Sequence, residues 1–216
     1  MQKPKALIFD WDGTLVDTSA AIATALQPVL DFYHVGNWDT VRKTHWDPAE
    51  SLKGNFKNMF GANAVDAYQQ YLKLYLQHSL PLVKTAAGAV SLIRTLNKIG
   101  ILAFVASNKE KMLLQKEMSM CFSGVRFDGA LANGDAARNK PFPDPIFKCL
   151  EGVPFKINAQ NVFMVGDALP DYLAATAAGV RPMLIENHRL NEIKADLTDV
   201  VFKDFAALEQ MILNAD

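Results

Sequence analysis

The stretch KALIFDWDGTLVDT, residues 5–18, indicates the fold of this chain more clearly than any other segment. It contains four apolar residues, Ala6 to Phe9, and becomes polar at once at Asp10. A short apolar run that ends in this way is typical of a strand buried on both faces of a parallel sheet. The same pattern recurs at three later places, where the runs are Ile101–Ala106, Val162–Val165 and Val180–Ile185. We therefore expect four parallel strands.

Helical segments lie between these strands. They are Ala89–Ile99, Lys109–Met120, Pro145–Leu150 and Pro170–Ala178. Gly100 and Gly179 follow two of them, as glycines often do at helix ends, and we expect Asp144 to be the N-cap of the helix that begins at Pro145. This alternation predicts an α/β fold with a doubly wound, Rossmann-like parallel sheet. Such a sheet binds its ligand at the carboxyl ends of the strands, where the strand order reverses.

Residues 19–82 interrupt the alternation of strands and helices. Apolar residues such as Ile22 and Leu26 recur there at helical spacing, and prolines and glycines divide the region into short helices. We therefore predict a small all-helical cap inserted after the first strand. The core domain would comprise residues 1–18 and 83–216, and the cap domain residues 19–82.

The overall composition excludes several classes of function. The chain has 216 residues, half of them hydrophobic, and its 22 basic and 23 acidic side chains give a net charge of −1. This balance argues against binding to nucleic acid or to an anionic membrane. Two cysteines are too few for a disulfide framework, and no apolar run is long enough for a signal peptide or a membrane span. We expect a soluble, cytoplasmic protein.

The polar residues that follow the first strand form the first candidate site. A carboxylate such as Asp10 can act as a nucleophile, and a second one, Asp12, can act as a general acid and base. Together they would permit covalent phosphoryl transfer. Gly13 would let backbone amides approach an anion closely. The alternative is an ordinary solvated turn, because Asp and Gly are common in turns.

Two further candidate sites follow later in the chain. Ser107 and Asn108 end the second predicted strand, where a hydroxyl and backbone amides can hold a phosphate at a helix N-terminus. The same residue types are also favoured as simple helix N-caps. Lys140 lies in a proline-rich loop that could present its ammonium group to a phosphoryl group or a carboxylate. A solvated loop lysine is the alternative.

The fourth candidate site follows the strand Val162–Val165. Asp167 and Asp171 lie around a turn and offer the oxygen ligands that Mg²⁺ takes together with phosphate oxygens and water. Asp171 could instead only stabilise the helix dipole, because it falls in the first helical turn.

The four sites occur in the order of a known set of motifs. They are FDWDGTLVDT (Phe9–Thr18), VASNK (Val105–Lys109), KPFPDP (Lys140–Pro145) and VGDALPDYLAATAAG (Val165–Gly179). In these motifs the chain resembles the haloacid dehalogenase (HAD) superfamily, in its phosphoglycolate-phosphatase-like group with a helical cap. The resemblance extends from Lys5 to about Gly179. It implies a hydrolase that acts on phosphoric monoesters.

The resemblance also implies a role for each motif residue. Asp10 would attack phosphorus and become an aspartyl phosphate. Asp12 would protonate the leaving oxygen and then activate water. Ser107 and the amide of Asn108 would hold the phosphoryl oxygens, while Lys140 would offset charge on Asp10 and the phosphate.

The metal site implied by the resemblance binds Mg²⁺. Its ligands would be Asp10, the backbone carbonyl of Asp12 and Asp167, and Asp171 would support the site nearby or through water. The chain departs from the family pattern at Ala168, where a hydroxyl residue is usual. Ala168 has no hydroxyl with which to form the supporting hydrogen bond that the family pattern implies there.

The predicted function is a Mg²⁺-dependent phosphatase that hydrolyses a small phosphorylated metabolite, either phosphoglycolate-like or a sugar phosphate. Arg42 and Lys43 in the cap are candidates for binding that substrate. Two alternatives stay open. A sugar-phosphate mutase would share all four motifs and return the phosphoryl group to a sugar, and a regulatory protein could keep the fold without turnover.

Overall fold

The computed structural model describes residues 2–47, 50–187, 190, 193 and 200–215. The chain forms two compact units. The first comprises Met1–Val16 and Thr85–Asp216, and the second is Asp17–Lys84. The boundaries between the two units follow residues 16 and 84, and each lies two residues from the boundary expected from the sequence.

The strands of the described chain are short. In chain order they are β1 (Ala6–Phe9), β2 (Val16–Asp17), β3 (Lys84–Thr85), β4 (Leu102–Ala106), β5 (Gly129–Leu131), β6 (Val162–Gly166), β7 (Arg181–Ile185) and β8 (Val201–Phe202). Six of them form one sheet in the order β5-β4-β1-β6-β7-β8, and every pairing in it is parallel. β2 and β3 form a separate two-stranded sheet.

The helices alternate with the strands of the first unit and make up most of the second. They are α1 (Ser19–Phe32), α2 (Trp38–Thr44), α3 (Leu52–Phe60), α4 (Ala64–Leu74), α5 (Ala89–Ile99), α6 (Lys111–Cys121), α7 (Asp144–Cys149), α8 (Leu169–Ala178) and α9 (Phe205–Leu213). None of the helices in the described ranges has both the length and the apolar character needed to cross a bilayer.

Strand β1 lies at the centre of the large sheet and is covered on both faces. Ile8 belongs to a buried cluster that includes Ile146 of α7 and Ala174 of α8. Phe9 points to the other face, where its ring lies 6.5 Å from that of Phe205 in α9. Helices therefore pack on both sides of the sheet. The prediction of a doubly wound, Rossmann-like α/β fold is confirmed.

The predicted strands and helices agree with the structure to within two residues at nearly every end. The four predicted strands are β1, β4, β6 and β7, and α5 has its predicted bounds. Helix α6 starts two residues late because the backbone N–H of Lys109 is bound by Ser107 Oγ in the preceding turn. The N-cap assignment of Asp144 is wrong. Pro143 occupies that position, and the Asp144 carboxylate accepts two hydrogen bonds from Arg138.

The second unit contains its own aromatic core. Tyr68 and Tyr71 of α4 are buried, and both rings contact Phe56 of α3 at centroid distances of 4.9 and 5.5 Å. Tyr75, in the π-helical turn that follows α4, extends this contact at 5.7 Å from Tyr71. These tyrosines recur every three or four residues, so they lie on one side of the helix and pack the interior of this unit.

The central strand sets the stability of the first unit. We expect Ile8→Ala to lower the free energy of unfolding by about 2–5 kcal/mol, because it leaves a cavity at a fully buried position. Ile99→Ala is the matched control, since Ile99 is 38% exposed and should cost less than about 1 kcal/mol. Urea unfolding followed by circular dichroism measures both. Equal losses would contradict this account of the core.

Candidate active site

The topology of the sheet brings three polar strand ends together. β1 pairs with β4 on one side and with β6 on the other, and Phe9 is in register with both Val105 and Val165. Asp10 follows β1 directly, and its backbone N–H donates to the carbonyl of Val165 at 2.8 Å. Ser107 and Asp167 follow the two neighbouring strands. All three lie at the carboxyl edge of the sheet, where the strand order reverses.

Lys140 reaches this edge from the loop between β5 and α7. Its Nζ lies 2.6 Å from Asp10 Oδ1 and 2.7 Å from Asp171 Oδ1. Asn108 fixes the loop, because its side-chain amide donates to the carbonyl of Lys140 at 2.8 Å and accepts from its N–H at 3.1 Å. The lysine side chain is only 3% exposed. Its position is therefore held at both the backbone and the ammonium group.

Three buried carboxylates form a cluster at this edge, and Lys140 contacts two of them. Asp10, Asp167 and Asp171 each offer an oxygen, and these oxygens lie within 4.8 Å of one another. Asp167 is oriented from both sides, since its Oδ1 accepts from Thr14 Oγ1 at 2.9 Å and its Oδ2 from Asn187 Nδ2 at 2.8 Å. An oxygen cluster of this kind suits a hard divalent cation.

Backbone hydrogen bonds complete the cluster at Asp171. Its Oδ2 accepts from the N–H groups of Asp167 and Ala168 at 3.1 and 3.2 Å. The side chain therefore closes the turn that leads from β6 into α8. Its Oδ1 stays directed at Lys140.

Two glycines allow the carboxylates to come this close. Gly13 has φ +89°, and a Cβ atom there would collide with the carboxylate of Asp167. A Cβ atom at Gly166 would collide with the side chain of Asp171. Any larger residue at either position would displace a carboxylate of the cluster.

Asp12 takes part in a second buried network. Its Oδ1 lies 2.7 Å from Lys109 Nζ, which also lies 3.0 Å from Glu117 Oε1 on α6. The other oxygen of Glu117 accepts a hydrogen bond from Trp11 Nε1 at 2.7 Å. The side chain of Asp12 therefore faces a different lysine from the one that binds Asp10.

Comparison with known proteins identifies the family. The family model described as haloacid dehalogenase-like hydrolase matches residues 7–185. The chain belongs to this family of hydrolases. The prediction of a hydrolytic enzyme of this superfamily is confirmed.

Named relatives and solved structures are consistent with this membership. The hydrolase is 29% identical to a phosphoglycolate phosphatase of Rhodospirillum rubrum, over 95% of this chain and 89% of the relative. It is 26% identical to the pyrophosphatase PpaX of Halalkalibacterium halodurans, over 83% of this chain and 82% of that protein. The crystal structure of CbbY from Rhodobacter sphaeroides, in complex with phosphate, matches with a TM-score of 0.77 at 20% identity and covers 95% and 96% of the two chains. That last likeness supports the fold.

The electrostatics of the hydrolase are dominated by the carboxylate cluster. Burial, together with repulsion from Asp171 and Asp167, raises the pKa of Asp10 from 3.8 to about 7, although Lys140 opposes the shift. Burial alone would lower the pKa of Lys140. The attraction of Asp10 and Asp171 outweighs that effect and raises it. Lys140 therefore stays charged beside Asp10 and Asp171.

The structure brings the motif residues of the core together, but it separates their side chains into two groups. Lys140, Asp10, Asp167 and Asp171 form one group, while the Asp12 side chain turns to Lys109. Ser107 is buried, and its hydroxyl accepts the Lys109 N–H at 3.1 Å. Metal, phosphate and catalytic roles for these residues stay predictions.

The two candidates from the helical unit also stay predictions. Arg42 and Lys43 are exposed residues in the last turn of α2, and Arg42 forms a weak ion pair with Asp39 at 3.4 Å.

Sequence reasoning missed three residues that organise the site. They are Lys109, Glu117 and Asn187. Lys109 belongs to the VASNK motif, but nothing in the sequence connects it to Asp12. Glu117 is a charged residue at a buried helical position, and Asn187 lies just beyond β7. The contacts Lys109–Asp12, Glu117–Trp11 and Asn187–Asp167 join residues that lie 97, 106 and 20 positions apart, so local patterns carry no signal for them.

The raised pKa of Asp10 predicts how stability depends on pH without divalent cations. A carboxyl that holds its proton more tightly in the folded chain stabilises the fold at low pH, and this contribution is lost as the pH rises from about 4 through about 7. Asp10→Asn should remove that loss. Its stability relative to the native chain should rise over this range by an amount on the order of 4 kcal/mol.

Urea unfolding in EDTA at about pH 4.5 and pH 8 measures this difference. Asp66→Asn, at an exposed position on α4, is the control and should show no such trend. A constant difference between Asp10→Asn and the native chain would contradict the electrostatic account.

Proposed function

We propose that this hydrolase is a Mg²⁺-dependent phosphatase that releases phosphate from a small phosphorylated metabolite through an aspartyl-phosphate intermediate. The observation that carries the proposal is the position of Asp10. It lies at the carboxyl end of the central strand, with Lys140 at 2.6 Å and two further carboxylates beside it. Phosphoryl transfer depends mainly on such positioning and on charge neutralisation.

Asp10 is the proposed nucleophile. One of its oxygens forms a bond to phosphorus while the bond from phosphorus to the leaving oxygen breaks. Lys140 offsets the negative charge that Asp10 and the phosphoryl group bring together. Ser107 and the backbone amide of Asn108 hold the phosphoryl oxygens at the neighbouring strand end.

Asp12 is the proposed general acid and base. In the first step it gives a proton to the leaving oxygen. In the second step it takes a proton from the water whose oxygen attacks phosphorus, and the bond between Asp10 and phosphorus then breaks. Inorganic phosphate leaves and the Asp10 carboxylate is restored. Asp12 is suited to this exchange because its side chain is 29% exposed and can meet water. The side chain of Lys140 is nearly inaccessible and does not exchange protons with water in this way.

The donor set fits Mg²⁺. Asp10 and Asp167, with the backbone carbonyl of Asp12, would hold the ion, and Asp171 would support them. These are hard oxygen ligands, and three carboxylates can carry more negative charge than Lys140 offsets. When bound, the ion supplies positive charge that neutralises the phosphoryl oxygens.

The relatives suggest where to look for the substrate. They carry the names phosphoglycolate phosphatase and pyrophosphatase. We propose a substrate of that kind, a small acid or sugar that carries a terminal phosphoryl group. Arg42 and Lys43 are proposed to bind the part of the substrate beyond the phosphate.

The decisive test measures phosphate release from phosphoglycolate, pyrophosphate, sugar phosphates and p-nitrophenyl phosphate. The native enzyme should require Mg²⁺ and lose its activity in EDTA. Asp10→Asn should lower kcat by at least about 10⁴-fold, because it removes the nucleophile. Asp66→Asn, at an exposed position on α4, is again the control and should keep the native kcat. Normal turnover by Asp10→Asn would refute the mechanism.

Product analysis in the same experiment separates the alternatives. A mutase would convert one sugar phosphate into an isomer with little release of inorganic phosphate. A regulatory protein would bind phosphate esters without either product. Either outcome would overturn the proposed phosphatase activity.

Gly13 gives an independent test of the close contact with Asp167. Gly13→Ala should lower kcat by at least about 10²-fold, because a methyl group there displaces Asp167 from the cluster. Gly100→Ala is the matched control. Gly100 also has positive φ, at +78°, but a Cβ atom there meets nothing within 4 Å.

Positive φ should cost each variant about 1–2 kcal/mol of stability, and Gly13→Ala should lose more because its methyl group also collides with Asp167. Only Gly13→Ala should lose activity. Steady-state kinetics and urea unfolding measure the two effects, and equal activities would show that the contact is unimportant for turnover.

A further inference from the structure

A second buried lysine lies beside the active site. The side chain of Lys109 is 5% exposed, and its Nζ contacts Asp12 at 2.7 Å and Glu117 at 3.0 Å. Glu117 is completely buried. The two acids lie on different elements, since Asp12 follows β1 and Glu117 belongs to α6. The lysine therefore connects a residue of the active-site loop to a helix of the core.

Several hydrogen bonds hold Lys109 and Glu117 within this network. The backbone N–H of Lys109 donates to Ser107 Oγ at 3.1 Å, and its carbonyl accepts from the N–H of Asn133 at 2.9 Å. Glu117 uses one oxygen for Lys109 and the other for Trp11 Nε1, at 2.7 Å. Both ends of the lysine and both oxygens of the glutamate are thus held in place.

Stability alone is a poor explanation for the network. Removing a lysine and a glutamate from water is costly, and well-packed apolar side chains at such positions are often equally stable or more so. What the charged pair adds is a fixed ammonium group within hydrogen-bond distance of Asp12. Trp11 adds a further restraint, because it lies in the chain between Asp10 and Asp12 and is itself completely buried.

We propose that Lys109 is a positioning residue that holds the Asp12 carboxylate in place for proton transfer, and that Glu117 and Trp11 fix Lys109 for this task. The inference rests on the proposed function, in which Asp12 is the general acid and base. A direct role of Lys109 in binding the substrate phosphate is less consistent with its burial and its contacts with two carboxylates.

The central experiment is a double-mutant cycle with Lys109→Met and Asp12→Asn, assayed with p-nitrophenyl phosphate and Mg²⁺. Lys109→Met should lower kcat by about 10²-fold, because a misplaced general acid and base loses much of its effect. KM and the inhibition constant of inorganic phosphate should change less than about threefold. In the Asp12→Asn background, Lys109→Met should cause no further loss of kcat.

Lys111→Met is the matched control for the loss of a lysine. Lys111 begins α6 two residues later, is 60% exposed and pairs with Asp135 at 2.8 Å. Its replacement should leave kcat and KM unchanged. A comparable loss of kcat in Lys111→Met would show that the effect of Lys109→Met is not specific to the Asp12 contact, and would overturn the proposal.

Two further variants guard against a loss of folding. Lys109→Met leaves Glu117 buried without its ammonium partner, so Lys109→Met/Glu117→Gln removes both charges and keeps an acceptor for Trp11. Thermal unfolding should show that this double variant is folded. Its kcat should be as low as that of Lys109→Met. Glu117→Gln alone should lower kcat less than Lys109→Met does, with KM unchanged, because Lys109 is present but less restrained.

The outcomes separate this inference from the proposed function. If Asp12→Asn is as active as the native enzyme, the acid–base role fails and the inference fails with it. If Asp12→Asn is inactive while the folded Lys109→Met/Glu117→Gln variant keeps native kcat, only the inference fails. Additive losses of kcat in the cycle, or a large rise in the inhibition constant of phosphate, would instead assign Lys109 to the substrate and overturn the positioning role.

Discussion

The contact between Lys140 and the pair Asp10 and Asp171 is the interaction on which the rest of the site depends. Three carboxylates are buried within a few ångströms of one another, and the ammonium group of Lys140 contacts two of them. Burying ionised carboxylates without a cation would be prohibitive. A loop brings Lys140 to these carboxylates. Two hydrogen bonds between the Asn108 side chain and the Lys140 backbone hold that loop in place.

The two aspartates of the DWD segment face two different lysines. Asp10 binds Lys140, and Asp12 binds Lys109, although the acids are only two residues apart. The environments differ as well, since the Asp10 side chain is 12% exposed and that of Asp12 is 29% exposed. A buried acid beside a charge cluster suits a nucleophile, and a more accessible acid suits proton exchange with water. This division is what the proposed two-step hydrolysis requires.

Backbone geometry is as important as charge at this sheet edge. Gly13 and Gly166 leave room that the carboxylates of Asp167 and Asp171 occupy. The parallel pairing of β1 with both β4 and β6 brings three strand ends side by side. The cluster is thus assembled from segments that are distant in the chain, and it depends on the register of the central strands.

Several features could be predicted from the sequence because they depend on local patterns. The runs that became β1, β4, β6 and β7 are apolar and buried, so their positions were correct to within one residue. Strands β5 and β8 were missed because they contain three and two residues and are only partly buried. The N-cap assignment of Asp144 failed because Arg138 competes for the same carboxylate.

The sequence by itself determined the α/β class, the order of the motifs and the residue types that gather at the carboxyl ends of the strands. Only the tertiary structure decided which lysine binds which aspartate, and that Glu117, Trp11 and Asn187 support the site. The physical reason is that a hydrogen bond such as that from Trp11 to Glu117 joins residues 106 positions apart. Such a contact exists only after the sheet and helices have packed, so no local pattern of residues encodes it.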